Sequence, residues 1–476
     1  MKLGSMAARF HDYNCDPMSR SPKQTMSRPE NAGPTRGLIP GSPISGVFRP
    51  EGSKSIAQRF LVASALAKGE SRLAQLPSAA DVTATQALLE AADVPTATKK
   101  GITSITGCPP SGLSWKTKGP VELGESGTLA RFASAVFGLA IEPGNVSELV
   151  PSGTLLRRQS LPLFRAMAGA GVGCEFKGVE GGFAVALRSA KPPADVFLEE
   201  PGSSQDVSSL LFALASHEGR CHLHVRGDIP SMPYVEMTSK VIMRFGARVQ
   251  LWNNSEGVLI SIEGPLSAEK DLIEIEPDAS SAGTALVAAC ISGGELSIDG
   301  LGSDSIQGDI RIIEHLQAFG CEAGIEPRRM WAKGVPKNGA DVDFSREPDL
   351  APAVVALAAS IALNSGETSR LRGLQTLPGK ESDRIRLMAR GLRAIGLSAE
   401  AGADSLDIGP PRPGFADEYE QPVLLDPKGD HRMAFAFALF GLLREKISVV
   451  GSDCVRKSWP NFWQDLAGLG AAVREE

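Results

Sequence analysis

The sequence predicts an α/β fold assembled from six copies of one βαβαβ-type unit, spread over at least two domains. Three observations carry this. The chain has 476 residues, and single hydrophobic cores stop growing at about 300 residues. One segment type recurs, a polar cap, a helix of small apolar residues, a Gly-containing turn and a short alternating strand, starting at Ser55, Ser126, Gln205, Asp278, Asp349 and Asp430. These starts lie 71 to 81 residues apart, and so regular an internal period signals one supersecondary unit repeated.

Residues 1–37 hold Ser, Pro and Asn without apolar periodicity and read as a disordered tail. The first helix copy runs from Ser55 through IAQRFLVASALAKG, and the second, from Ser126, has no clear strand after it. The third leads into Arg220-Cys-His-Leu-His-Val225, the fourth into Glu295-Leu-Ser-Ile-Asp299, the fifth into Ser369-Arg-Leu-Arg372 and the sixth into Lys446-Ile-Ser-Val-Val450. Their Ala, Ser and Gly content leaves no wide polar face, which predicts helices buried all round. Amphipathic segments at 161–170, 234–245, 307–319 and 385–395 alternate with them and predict an outer helical layer. Close packing of the smooth helices also accounts for 51 Gly beside only 5% aromatic residues.

With 49 Lys and Arg against 55 Asp and Glu the net charge is −6, which excludes a broad nucleic-acid footprint. No apolar run reaches the roughly 18 residues of a membrane span, so no membrane partner is expected. Seven Cys lie singly, without C-x-x-C spacing. They give neither a disulfide framework nor a zinc site and fit a reducing cytoplasm. His222 and His224 would share one strand face, but a solvated face explains them as well as a metal does.

Each buried helix is expected to begin at a cap such as Ser55, Ser126, Asp278, Asp349 or Asp430, and helix starts attract anions through unpaired N–H groups and a partial positive charge. Ordinary N-capping explains each of these residues alone. It does not explain the basic clusters beside them: Lys54 with Arg59, Arg157-Arg158, Lys380 with Arg384, His431-Arg432 and Arg456-Lys457. Six helix starts converging on one anionic ligand would explain both, in a small, strongly positive cleft. A nucleotide phosphate loop fails on spacing, because Gly46 to Gly52 and Gly373 to Gly379 each enclose five residues rather than four.

Taken in order, GSKSxxxR (Gly52 to Arg59), SGTxxR (Ser126 to Arg131), SSQ (Ser203 to Gln205), SxPY (Ser231 to Tyr234), DASSA (Asp278 to Ala282), QGD (Gln307 to Asp309), PD (Pro348, Asp349), KESDR (Lys380 to Arg384) and DHRMA (Asp430 to Ala434) form a set. The chain from 38 onward thereby resembles the enolpyruvyl transferase family, and within it the branch acting on shikimate 3-phosphate. The resemblance implies two similar globular domains, each of three repeats in an inside-out α/β barrel, with the active site in the cleft between them. It places the domains at 38–51 plus 273–476 and at 52–272.

The implied reaction transfers the carboxyvinyl group of phosphoenolpyruvate to the 5-hydroxyl of shikimate 3-phosphate and releases phosphate, in the pathway to chorismate and the aromatic amino acids. The alternatives are another acceptor, such as UDP-N-acetylglucosamine, or an inactive anion-binding protein. The resemblance assigns Lys54, Gly127, Arg158, Gln205, Arg384, Arg432 and Lys457 to phosphoenolpyruvate. It assigns Lys54, Ser55, Arg59, Ser203, Ser204, Gln205, Ser231, Tyr234, Asp349 and Lys380 to shikimate 3-phosphate. Asp349 is expected to handle the hydroxyl proton and Glu381 the C3 proton, with Lys54 the rival for either. Buried cations would keep both carboxylates ionised until needed. No metal or organic cofactor is expected, and the chain is expected to act as a cytoplasmic monomer. Glu51, Glu125, Gln159 and Thr376 depart from the family's usual residues and bear on ring contacts and inhibitor response.

Overall fold

The computed structural model describes residues 33–107, 119–412 and 421–475. Strands β1 (Arg36–Ile39) and β2 (Gly46–Phe48) open it. The first unit follows as α1 (Lys54–Leu66), β3 (Gly69–Ala74), α2 (Ala80–Ala91), β4 (Thr96–Lys99) and β5 (Ile102–Gly107). The second is β6 (Val121–Gly124), α3 (Gly127–Leu139), β7 (Val146–Pro151), α4 (Leu161–Gly169), β8 (Gly173–Phe176) and β9 (Val185–Arg188). The third is β10 (Asp195–Glu199), α5 (Ser204–Ala215), β11 (Gly219–Arg226), α6 (Pro233–Arg244), β12 (Arg248–Asn254) and β13 (Gly257–Gly264). After β14 (Leu272–Glu274) come α7 (Ala279–Ile291), β15 (Glu295–Asp299), α8 (Ile312–Ala318), β16 (Glu322–Glu326) and β17 (Arg329–Lys333). The fifth unit is β18 (Asp341–Asp343), α9 (Ala351–Asn364), β19 (Ser369–Arg372), α10 (Arg384–Ala394), β20 (Leu397–Ala401) and β21 (Leu406–Pro411). The sixth is β22 (Val423–Leu425), α11 (His431–Phe440), β23 (Ile447–Val449), α12 (Phe462–Gly468) and β24 (Ala472–Glu475).

These strands form six four-stranded sheets of one topology, two strands parallel and then an antiparallel pair, as in β10-β11-β13-β12. Each unit therefore has one strand more than the sequence pattern indicates, because a hairpin follows the amphipathic helix. The second copy does have its strand: in β7 the inward positions hold Ser147 and Pro151 around Leu149, so apolar alternation is masked.

Two hydrophobic cores organise the six sheets into two domains. One gathers residues from Ile56 to Ile275, the other gathers Leu38 to Phe48 with residues from Ala279 to Ala471. The chain passes between them twice. Strand β2 pairs in parallel with β15 of the fourth unit, while β14 pairs in parallel with β3 of the first. The second passage thus follows Glu274 rather than residue 272. Residues 33–37 also belong to the fold rather than to a tail, since Thr35 is buried and β1 begins at Arg36. Residues 1–32 lie outside the described residues.

The two helix classes separate as their composition dictates. Every residue of α7 and α11 is buried, whereas α2 buries five of its 12 residues and α10 six of its 11. Segment 307–319 begins as a 3-10 turn (Gly308–Arg311) before α8. Among the described residues no helix is long and apolar enough to cross a membrane.

Candidate active site

Of the buried helices, α1, α3, α5 and α11 bring their first turns to the interdomain cleft. Ser126 and Asp430 cap α3 and α11 by accepting from the amides of Leu129 and Arg432, and Ser203 opens α5 by accepting from Gln205. Two expected caps fall elsewhere. Ser55 lies inside α1, and Asp349 sits in a 3-10 turn (Pro348–Leu350) ahead of α9, where Pro352 offers no N–H to a capping side chain. Asp278 caps α7 as expected, but the first N–H of that helix is taken by Gln307 and its start does not line the cavity, so fewer than six helix ends converge.

Between the domains lies a cavity of about 370 Å³. Lys54, Ser55, Gly127, Arg158, Ser203, Ser204, Gln205, Ser231 and Tyr234 line it from one domain, and Asp349, Lys380, Glu381, Arg384 and Arg432 from the other. A wider opening of about 1140 Å³ adjoins it and shares Arg158, Lys380 and Glu381. The smaller cavity holds the denser set of charged groups. Six Lys and Arg face four Asp and Glu across its lining, so internal carboxylates temper the strongly positive cleft expected from sequence.

Arg384 is the centre of that set. Its Nη1 donates to Asp349 Oδ1 at 2.8 Å, its Nη2 to Glu381 Oε2 at 2.9 Å, and its Nε to Asp430 Oδ2 at 2.8 Å. The planar fork suits such multiple carboxylate contacts. Lys380 Nζ stands 3.5 Å and Arg432 Nη2 3.8 Å from Asp349, while Lys457 Nζ stands 3.0 Å from Glu381. Across the cleft, Lys54 Nζ pairs with Asp81 at 3.2 Å. Ser231 holds φ +57, a strained conformation for a non-glycine residue, with its N–H bonded to Ser345 of the other domain.

Burial alone would raise the Asp349 carboxyl, but Lys380, Arg432 and Arg384 outweigh it and hold the group below the usual carboxylate range. Burial likewise opposes ionisation of Glu381, and Arg384, Lys457 and Arg158 outweigh it, so its pKa lies well below normal. Burial and the nearby Lys54 push His431 well below its ordinary value, leaving a neutral imidazole. Burial also lowers Lys380 and Arg158. Behind the cavity, burial lifts the Asp309 carboxyl to about 7, despite Arg432 and a hydrogen bond from Ser280. Tyr234 Oη donates to Asp309 at 3.4 Å, linking the domains there.

Arg59 and Lys457 are the expected site residues that do not line the cavity. All three guanidinium nitrogens of Arg59 are engaged behind its wall, with Thr238 Oγ1 and the carbonyls of Ser55 and Tyr234, which turns it into a support. Lys457 reaches the rim through Glu381 and the Glu125 carbonyl. The sequence reading passed over Asp81, Asp206 and Gln375, all in the lining. For the first two the available signal was an acid in the first turn of a helix, far in sequence from the cation it meets. Of the departures, Glu125 accepts from the amide and hydroxyl of Thr154, Glu51 from Ser78 and Asn461, and Gln159 and Thr376 line the cavity. The half-buried His222 and His224 both lie beside Asp195, and among the described residues no His, Cys, Asp and Glu group is arranged to hold a metal.

Known proteins share this architecture and part of this sequence. The solved structure of an EPSP synthase from Acinetobacter baumannii superposes with a TM-score of 0.73 at 22% identity, covering 93% of this chain and all of that one. The enolpyruvyl transferase NikO from Streptomyces tendae superposes with a TM-score of 0.69 at 16% identity, over 94% and 99% of the two chains. A 3-phosphoshikimate 1-carboxyvinyltransferase from Methanoculleus marisnigri is 32% identical over 433 residues, which is 90% of this chain and 97% of the relative. Residues 38–466 match the family described as EPSP synthase (3-phosphoshikimate 1-carboxyvinyltransferase), and the chain belongs to that family.

Proposed function

We propose that the protein joins phosphoenolpyruvate to the 5-hydroxyl of shikimate 3-phosphate and releases phosphate. The observation that carries this is the convergence of Lys54, Arg158, Lys380, Arg384 and Arg432 with Asp349 and Glu381 around one interdomain cavity. Two substrates bearing two phosphates and two carboxylates need several fixed cations in a site that excludes water, where such charges act strongly. Lys54, Gly127, Arg158, Gln205, Arg384, Arg432 and Lys457 hold phosphoenolpyruvate. Lys54, Ser55, Ser203, Ser204, Gln205, Ser231, Tyr234, Asp349 and Lys380 hold shikimate 3-phosphate, with Arg59 acting through Ser55 and Tyr234.

The chemistry is an addition followed by an elimination. A base takes the proton of the 5-hydroxyl as its oxygen bonds to C2 of phosphoenolpyruvate, and an acid delivers a proton to C3. The same C3 site then loses a proton as the C2–O bond to phosphate breaks, which restores the double bond. Asp349 serves the hydroxyl and Glu381 serves C3, with Lys54 the rival. Both carboxylates are weak bases while Arg384, Lys380 and Lys457 attend them. Anionic substrates draw those cations away, and that raises the carboxyl pKa values toward the range where proton transfer is efficient.

The domains are assigned as 33–51 with 276–476, and 52–275. The protein works as a monomer in the cytoplasm. Phosphate release is the test. Release from phosphoenolpyruvate with shikimate 3-phosphate, but not with UDP-N-acetylglucosamine, is the expected result. Release only with the latter would move the acceptor, and binding without release from either would identify an inactive anion-binding protein.

A further inference from the structure

We infer that Asp206 and Arg131 are positioning residues that fix the orientation of the Gln205 side-chain amide in the phosphoenolpyruvate half of the cavity. The inference rests on the proposed reaction and extends it to two residues that the sequence motifs left without a role. Asp206 lies one residue after Gln205 on the first turn of α5 and is buried, with its side chain 1% exposed. Its Oδ1 accepts from Arg131 Nε at 2.7 Å and from the hydroxyl of Ser160. Arg131, on α3, is also buried and lies over the ring of Phe183, with 5.3 Å between Cζ and the ring centroid.

Held at one edge by Asp206 and on one face by Phe183, the guanidinium has its remaining direction set. Arg131 Nη1 donates to the Gly127 carbonyl at 3.1 Å and to Gln205 Oε1 at 3.3 Å. Gln205 Nε2 then donates to Thr128 Oγ1 at 2.8 Å. Gly127, Thr128 and Gln205 all line the cavity. The chain of contacts distinguishes the two ends of an amide that is otherwise nearly symmetric. Gln205 Oε1 is committed to Arg131, so an anion at this wall is met by the amide N–H. Freed of Arg131, the amide could turn and set its oxygen against the anion. Asp206 is needed for a second reason, because an unbalanced cation or anion buried here would shift the charge of the whole wall.

The experiment compares wild type with Arg131→Leu, Asp206→Leu and the double variant, reading kcat and the KM of each substrate from phosphate release, with thermal midpoints as the folding control. Each single variant is expected to raise the KM of phosphoenolpyruvate roughly 10- to 100-fold, the span typical of losing a group that orients a ligand contact, and to raise the KM of shikimate 3-phosphate, which Gln205 also meets, by clearly less. The double variant is expected to be no worse than Arg131→Leu, since residues of one buried network are not additive. Equal rises in both KM values, multiplicative losses in the double variant, or lowered midpoints with unchanged KM would each overturn the inference. Should the leucine variants fail to fold, Asp206→Asn keeps the acceptor and the shape but removes the charge. It must then raise the KM of phosphoenolpyruvate selectively, and an unchanged value overturns the inference. Absence of phosphate release from wild type overturns the proposed reaction and this extension together, whereas wild-type turnover with unselective variants overturns this extension alone.

Discussion

Arg158 Nη1 of one domain stands 3.8 Å from Glu381 Oε1 of the other, both side chains nearly buried. This contact spans the cleft at the carboxylate proposed to move the C3 proton. The same oxygen lies 3.0 Å from Lys457 Nζ, which also donates to the carbonyl of Glu125 in the opposite domain. The proposed proton transfer and the meeting of the two domains are therefore bound to one oxygen atom.

Asp349→Ala and Glu381→Ala should each lower kcat about 100-fold or more, the usual scale for a general acid or base. Circular dichroism should show the fold retained. Turnover near wild type in both variants would remove the acid and base assignments.

Gly127→Ala tests the closeness of the phosphoenolpyruvate wall. A Cβ at position 127 would meet both terminal nitrogens of Arg158 at 2.6 Å, so the guanidinium must move. The KM of phosphoenolpyruvate should rise about tenfold, the effect of displacing a bidentate contact, and that of shikimate 3-phosphate should change less. Steady-state kinetics with each substrate varied in turn decides it.

Asp430→Ala should destabilise the protein by about 1–3 kcal/mol, the cost of leaving buried donors without their acceptor. Asp430 is fully buried and accepts from Arg384, Ser382 and the Arg432 amide, so its loss takes the acceptor from three donors while Arg384 keeps Asp349 and Glu381. Urea denaturation measures this, and a loss below about 1 kcal/mol would mean that Asp349 and Glu381 can carry Arg384 alone.

Asp309 gives the stability a pH dependence of definite sign. Its carboxyl titrates near 7 in the fold against an ordinary 3.8, so the folded state holds a proton there that the unfolded chain has released. The contribution is full below about pH 4 and is lost as pH rises to 7, at up to about 1.4 kcal/mol per unit. Asp309→Asn cannot ionise. The melting temperature of wild type relative to Asp309→Asn should therefore fall between pH 4 and 8, and a gap independent of pH would show that burial does not hold the proton.

The buried helices and the cationic clusters were legible because complete burial writes itself as Ala, Ser and Gly runs, and because Lys54, Arg158, Arg384 and Arg432 stand in short ordered motifs. What stayed hidden was pairing at a distance. Asp81 meets Lys54 from 27 residues away and Asp206 meets Arg131 from 75, and no local pattern marks an acid as the partner of a particular base. Arg59 shows the converse. Its motif was plain, yet Thr238 and the carbonyls of Ser55 and Tyr234 take up its nitrogens. The strand after the second buried helix is masked because its inward positions Ser147 and Pro151 break the apolar alternation.

The passage of the chain between domains also sets an order of assembly during synthesis. All strands of the first three sheets lie between Gly69 and Glu274, so that half can close while the remainder is still being made. The other half cannot. Strand β1 is among the first segments to emerge, yet Arg36 pairs with Glu475 and Ile39 with Ala472. Its edges stay open until residues 472–475 leave the ribosome, and pairing over so long a loop is slow to form. A ribosome stalled near residue 320, with β14 emerged and β15 still in the exit tunnel, should thus carry one finished domain and two unpaired N-terminal strands, β1 and β2, the segments most in need of protection from other chains.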